Sequence, residues 1–208
     1  MKLYYHPGAC SLADHIVLEW VGEPYEVVRL SRDDMKAPKF RALNPSGKVP
    51  LLEDGDDRLS ENVAILTYLS DLHPEVRLQG DGSARSRAEV MRWLAYVNSE
   101  VHKTFEMIFS PERFMPDPAD IDTLAEMARG QLRTHFERLD EQLTGRQWIA
   151  GSRSIADPYL FVVARWAERG GIRLDDLENI SGFMTRMYAD PAVQRVLKEE
   201  EMSESVAG

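Results

Sequence analysis

Cysteine is nearly absent: Cys10 is the only one in 208 residues. The chain can form no internal disulfide, which fits a reducing compartment. No run approaches eighteen apolar residues, so no membrane-spanning helix is expected. The five histidines, His6, His15, His73, His102 and His135, show no paired ligand spacing, and no second cysteine joins them. A metal is therefore not expected. GxGxxG and the Walker loop are missing, and with them the fingerprints of dinucleotide and nucleoside triphosphate binding. Positive charge is short: 25 Lys and Arg stand against 35 Asp and Glu, a net charge of -10. Such a surface disfavours nucleic acid and anionic membranes but leaves room for a local basic pocket that takes a small anion. The first residues read at once as a strand, so no signal peptide is expected, and the expected location is the cytoplasm.

What is present is an ordinary globular composition, 43% hydrophobic and 29% charged. The first third alternates in type. KLYY (2–5) reads as a strand, 11–21 as a helix with Leu12, Ile16 and Trp20 on one face, and YEVVRL (25–30) as a second strand. Residues 31–47 are polar and broken by prolines, a loop with at most one helical turn. KVPLLED and RLS, joined by a DGDD turn, read as a hairpin, and ENVAILTYLSDL as a helix. A βαβ start followed by a hairpin predicts a mixed sheet with helices on its faces. After a linker at 76–86 the pattern is helical only. One long helix is expected over 87–109, a second from Ile121 to Leu143, and an almost wholly apolar one in IADPYLFVVARWAER, which implies burial on all sides. Shorter helices follow at 180–189 and 192–200. The expected division is an α/β domain at 1–75 and an all-helical domain at 87–208.

Several residues have the right type and place for chemistry. Cys10 precedes a helix start, where unpaired backbone N–H groups and the helix dipole favour a thiolate. A lone cysteine is equally read as a small buried apolar residue. No CxxC accompanies it, so any disulfide chemistry needs an external thiol. In NPSGKVPLL, a cis Val49–Pro50 bond would expose the backbone of Val49 to an extended ligand, whereas a trans edge-strand proline would not. Glu61 and Asn62 open a helix, as caps or as holders of a ligand. Ser154 and Asp157 have capping-box spacing, with Asp in place of the usual Glu or Gln, and read as structural. His102 flanks the apolar stripe of the long helix, where a satisfied structural role is the plainer reading.

The order and spacing of these segments resemble the glutathione S-transferase family, and within it the bacterial beta-like class. The segments YYHPGACSLADHI, ALNPSGKVPLL, SENVAILTYLSD, VNSEVHKTF and SIADPYLFVVARWA carry the resemblance through nearly the full length. It implies a thioredoxin-like N-terminal domain and an all-helical C-terminal domain, glutathione as co-substrate with no metal, and a homodimer. By the same resemblance Val49 pairs through its backbone with the cysteinyl part of glutathione, with Pro50 cis. Glu61 and Asn62 hold the γ-glutamyl end, and Lys36 and Lys48 face the glycyl carboxylate. Cys10 and Ser11 lie at the sulfur, Tyr5 lines the site, and His102 and Lys103 approach from the helical domain, with Glu100 reaching across the dimer. Phe105, Phe109 and Trp166 are expected to receive a hydrophobic electrophile.

Two departures from the class pattern stand out. Ala95 replaces an asparagine, a contact that Asn98 could replace, and Arg153 replaces the apolar residue of the hydrophobic staple. The implied reaction is conjugation of the glutathione thiolate. Glutathione-dependent disulfide reduction or dehalogenation through Cys10 is the second enzymatic reading, and a non-catalytic carrier or docking protein the third.

Overall fold

The computed structural model describes residues 1–115 and 117–202, without the side chains of the last two. Its contacts divide the chain into two units. The first is 1–79 with the segment from 187 onward, and the second is 80–186.

The first unit is built on a four-stranded sheet of order β2-β1-β3-β4: β1 (Lys2–Tyr5), β2 (Glu26–Arg29), β3 (Leu51–Asp54) and β4 (Asp57–Ser60). β1 pairs parallel with β2 and antiparallel with β3, the mixed sheet expected from a βαβ start and a hairpin. The hairpin turns at Gly55, whose φ of +61° a residue with a Cβ rarely adopts. Strand alternation sorts the faces. Leu3 and Tyr5 are buried on one side of β1, while Tyr4 packs on the other with Val28, Leu30, Phe40 and Leu51. α1 (Leu12–Val21) buries Leu12 and Ile16 as its spacing predicts, and Gly22 in the left-handed region ends it. α4 (Asn62–Leu72) packs against α1.

The segment read as a loop holds two short helices, α2 (Arg32–Lys36) and α3 (Pro38–Arg41). Apolar period could not reveal them, because each is too short to show one: α2 half-buries Met35 and is set by its capping, and α3 buries only Phe40. Ser31 accepts from the Asp34 N–H while Asp34 accepts from the Ser31 N–H. α3 starts on Pro38, which lacks an N–H that a first-turn residue would leave unpaired.

The second unit is helical. α5 (Ala84–Tyr96) and α6 (Lys103–Phe109) flank a π-helical segment, Val97–His102. The single long helix expected over 87–109 is thus interrupted. Thr104 Oγ1 donates to the Glu100 carbonyl inside that irregular turn. α7 (Ile121–Gln142) buries Leu124, Ala128, Leu132, Phe136 and Leu139, so Phe136 rather than His135 faces inward. α8 (Ala156–Gly170) is buried on nearly all sides, as its composition predicts. Ahead of it the Asp157 carboxylate accepts from Ile149 N–H, Ser154 N–H and Ser154 Oγ at 2.7–2.9 Å. Burial nevertheless pushes this carboxyl up to about 7, against the pull of those donors.

α9 (Glu178–Ala189) is followed by α10 (Pro191–Met202). α10 packs on α1, so the C-terminal helix belongs to the sheet-bearing unit. The expected helical domain at 87–208 includes this helix, whereas its contacts place it with residues 1–79. An amphipathic helix shows that it has a partner but not which one.

Candidate functional site

The turn between β1 and α1 carries Cys10, half-buried, with its Sγ donating to the Val49 carbonyl at 3.7 Å. The Val49–Pro50 peptide is cis. Asn62, at the start of α4, donates its amide to the Cys10 carbonyl at 3.0 Å. One residue earlier Glu61 is exposed and holds φ at +75°, ψ at 120°. A non-glycine residue there costs about 1–3 kcal/mol, and such strain gathers at functional sites. Cys10, Val49, Glu61 and Asn62 are therefore brought together by three separate segments of the first unit.

Other expected site residues of that unit sit differently. Tyr5 is 1% exposed, with its ring 5.5 Å from that of His15, so it belongs to the core and does not line a ligand site. Strand alternation turns it inward, and Tyr4 instead bonds Glu53 on the opposite face. Ser11 is fully buried, and its hydroxyl lies between the His6 N–H and the His6 carbonyl. It braces the turn. The Asn62 amide nitrogen is engaged by Cys10, its Oδ1 has no hydrogen-bond partner among the described residues, and its backbone N–H stands at a helix N-terminus, where an anion is favoured. Lys36 is exposed and pairs with Asp33 at 3.5 Å; Lys48 is exposed, and its carbonyl accepts from Asn44 at 2.7 Å.

Around Cys10 the field is negative. Burial, then Asp14, push its thiol up to about 12, and Glu61 adds to the rise. Asp14 is fully buried, and neither carboxylate oxygen has a hydrogen-bond partner among the described residues. Burial therefore raises its carboxyl well above the ordinary range. From the C-terminal helix, Glu200 accepts from the Gly8 N–H at 2.9 Å and faces His15 Nδ1 at 3.4 Å. The backbone two residues before Cys10 is thus held by α10. Asp14 and Glu200 went unnoticed in the sequence. An acid inside an apolar helix face was the available signal for Asp14, while Glu200 lies in a charged terminal run that reads as solvent-exposed.

In the helical unit His102 Nδ1 meets the Tyr159 hydroxyl, which donates to Asn98 Oδ1 at 3.0 Å. Tyr159 is fully buried on α8 and was not foreseen; nothing in an apolar helix marks one tyrosine as a histidine's partner. Asn98 is therefore engaged with Tyr159, and Ala95 is exposed. Lys103 pairs with Glu106 at 2.7 Å, and exposed Glu100 accepts from Ser99. The aromatic cluster is present: His102 lies 4.9 Å from Trp166, and Phe105 stacks on Phe109 at 5.5 Å. Phe105 is fully buried and Trp166 nearly so. Of the three expected pocket residues only Phe109, 39% exposed, offers a surface to a ligand; Phe105 backs it. No His, Cys, Asp and Glu group among the described residues could hold a metal ion, and no described helix is long and apolar enough to cross a membrane.

The glutathione S-transferase N-terminal domain matches residues 1–71, and the C-terminal domain of the same family matches 85–191. The chain belongs to the glutathione S-transferase family. It is 47% identical to a glutathione S-transferase of Xanthomonas campestris over 201 residues, covering 96% of this chain and 98% of that one. A solved glutathione S-transferase from Xylella fastidiosa superposes with a TM-score of 0.92 at 46% identity, over 96% of this chain and 98% of the other. A sphingomonad glutathione S-transferase solved in complex with glutathione gives 0.86 at 34% identity, over 97% and 99%. In a glutathione S-transferase the first unit's cluster about Cys10 is the natural place to look for the tripeptide.

Proposed function

We propose that the protein is a glutathione transferase that joins the glutathione sulfur to a hydrophobic electrophile. The observation that carries this reading is the Cys10 thiol resting on the Val49 carbonyl, beside the strained Glu61. An extended tripeptide that pairs its cysteinyl N–H with that carbonyl brings its own sulfur to Cys10. A peptide N–H is a stronger donor than a thiol, so it displaces the Cys10 S–H, which then turns to the incoming sulfur. Glu61 takes the γ-glutamyl ammonium and the Asn62 N–H the γ-glutamyl carboxylate. Lys48, and Lys36 once released from Asp33, serve the glycyl carboxylate.

The reaction needs the glutathione thiol as a thiolate near neutral pH. Lowering its pKa by about two units corresponds to about 2.7 kcal/mol. A donor at Cys10 and the N-terminal end of α1 supply contributions of that order. The thiolate then attacks the electrophilic carbon. The new C–S bond forms as the leaving group departs with its electron pair, or as the pair moves into a conjugated acceptor. Phe109 supplies apolar surface for the electrophile, and His102, Lys103 and Glu100 its polar border. The working assembly is a homodimer and its setting the cytoplasm.

Calorimetric titration with reduced glutathione tests this. Saturable binding at micromolar to low millimolar levels, one site per chain, supports the reading, and a screen of aryl halides and activated alkenes follows. Absence of heat at several millimolar glutathione refutes it.

A further inference from the structure

We propose that Asn62 is a positioning residue for the reaction: by holding the Cys10 carbonyl it turns the Ser11 N–H to the glutathione sulfur, where that N–H stabilises the thiolate. This rests on the transferase reading above. Asn62 opens α4, yet its side chain caps nothing; the N-cap is Glu61, and no side-chain cap bond forms there. The side chain is buried and reaches across to the turn before α1, where its Nδ2 donates to the Cys10 carbonyl at 3.0 Å. Its Oδ1 is enclosed with no hydrogen-bond partner among the described residues. An enclosed acceptor left this way subtracts from stability, and an alanine would fill the place without that cost. The amide is therefore explained by its nitrogen, and the one bond that nitrogen makes among the described residues is to Cys10.

The Cys10 carbonyl also accepts from the Ala13 N–H at 3.0 Å, so both its lone pairs are taken. The Ala13 bond alone leaves the Cys10–Ser11 peptide free to tilt; Asn62, coming from another helix, is the second point that fixes its plane. Across a trans peptide the C=O and the N–H point opposite ways. A carbonyl drawn to Ala13 and Asn62 thus turns the Ser11 N–H outward at the N-terminal end of α1. No carbonyl among the described residues takes that N–H. It faces the Cys10 sulfur, whose ionised form it favours, as does the Cys10 N–H. The Ser11 hydroxyl is buried against His6, so the backbone is what Ser11 has left to offer a ligand. Once the glutathione sulfur lies beside Cys10, its thiolate, carrying full charge, is a stronger acceptor for the Ser11 N–H than the neutral thiol.

Asn62→Ala separates this role from a merely structural one. The ionisation of bound glutathione is followed by the ultraviolet absorbance of its thiolate across about pH 5 to 9. In the variant it should lie about one unit higher than in the wild type, and kcat at about pH 6 should fall about tenfold. Affinity by calorimetry at about pH 5, where the thiol is protonated in both proteins, should change less than about threefold, because alanine keeps the backbone N–H assigned to the γ-glutamyl carboxylate. A residue that only held the fold would lower Tm and leave the ionisation unmoved, and that result overturns the proposal. Should Asn62→Ala fail to fold, Asn62→Ser, whose shorter side chain does not reach the Cys10 carbonyl, is read in the same way. Wild-type protein that binds no glutathione refutes the transferase reading and this proposal with it. Wild type and variant that bind glutathione with the same thiol pKa refute this proposal alone.

Discussion

Glu200 of α10 should be among the residues whose loss is felt most in the first unit, although it lies in the last charged turn of the described chain. Its carboxylate is 4% exposed, accepts the Gly8 N–H at 2.9 Å and faces the fully buried His15 at 3.4 Å. Glu200→Ala deletes a charge-assisted bond worth about 1.5–3 kcal/mol and takes from the buried His15 one of its two carboxylate neighbours, the other being Glu199 at 3.4 Å. A total of about 3 kcal/mol follows. For a chain of this length each kcal/mol shifts the midpoint by about 2–4 °C, so Tm should fall by about 6–12 °C. Glu200→Gln keeps an acceptor for Gly8 and loses the charge, so it should cost about half as much. Because Gly8 lies two residues before Cys10, KM for glutathione should also rise several-fold in the Ala variant. Urea denaturation and steady-state kinetics measure both. A loss below about 1 kcal/mol with unchanged KM would refute the claim that α10 holds the Cys10 turn.

Glu61→Gly should stabilise the fold by about 1 kcal/mol, by relieving φ of +75°, yet weaken glutathione binding at least tenfold; denaturant midpoints and calorimetry should move in opposite directions. Phe109→Ala should raise KM for an aromatic electrophile while leaving that for glutathione unchanged, whereas Phe105→Ala, a cut in the core, should lower Tm. Asp157 has a folded pKa near 7, above its unfolded value, so the folded state holds more protons between about pH 4 and 7 and loses stability as pH rises through that window. The slope is about 1.4 kcal/mol per unit at most, and the difference between wild type and Asp157→Asn, measured by urea at about pH 5 and 7, should show it.

The order of elements was legible because the apolar residues repeat at spacing two or near four wherever a face is buried. It failed where another force shapes the chain. α2 rests on a capping box, and the π-helical turn at Val97–His102 leaves the apolar stripe intact on either side, so periodicity passes over both. The candidate site was legible as residue types and hardly at all as directions. Cys10, Val49, Glu61 and Asn62 do converge, but Ser11 and Tyr5 point into the protein, and Asn62 turns its amide nitrogen to the Cys10 carbonyl. Strand alternation turns Tyr5 inward, and for Ser11 and Asn62 the partner is a backbone group of the turn before α1, of which spacing along the chain carries no record.

Two buried aspartates show how burial alone misleads and partners decide. Asp157 and Asp14 are both fully enclosed, and burial raises both carboxyls. Asp157 is met by three donors that tie the segment before α8 to its first turn, and its sequence context, a serine three residues ahead, announces that role. Asp14 is met by none. A residue that only held the fold would be better replaced there by an apolar one of similar size, since an unsatisfied carboxyl subtracts from stability.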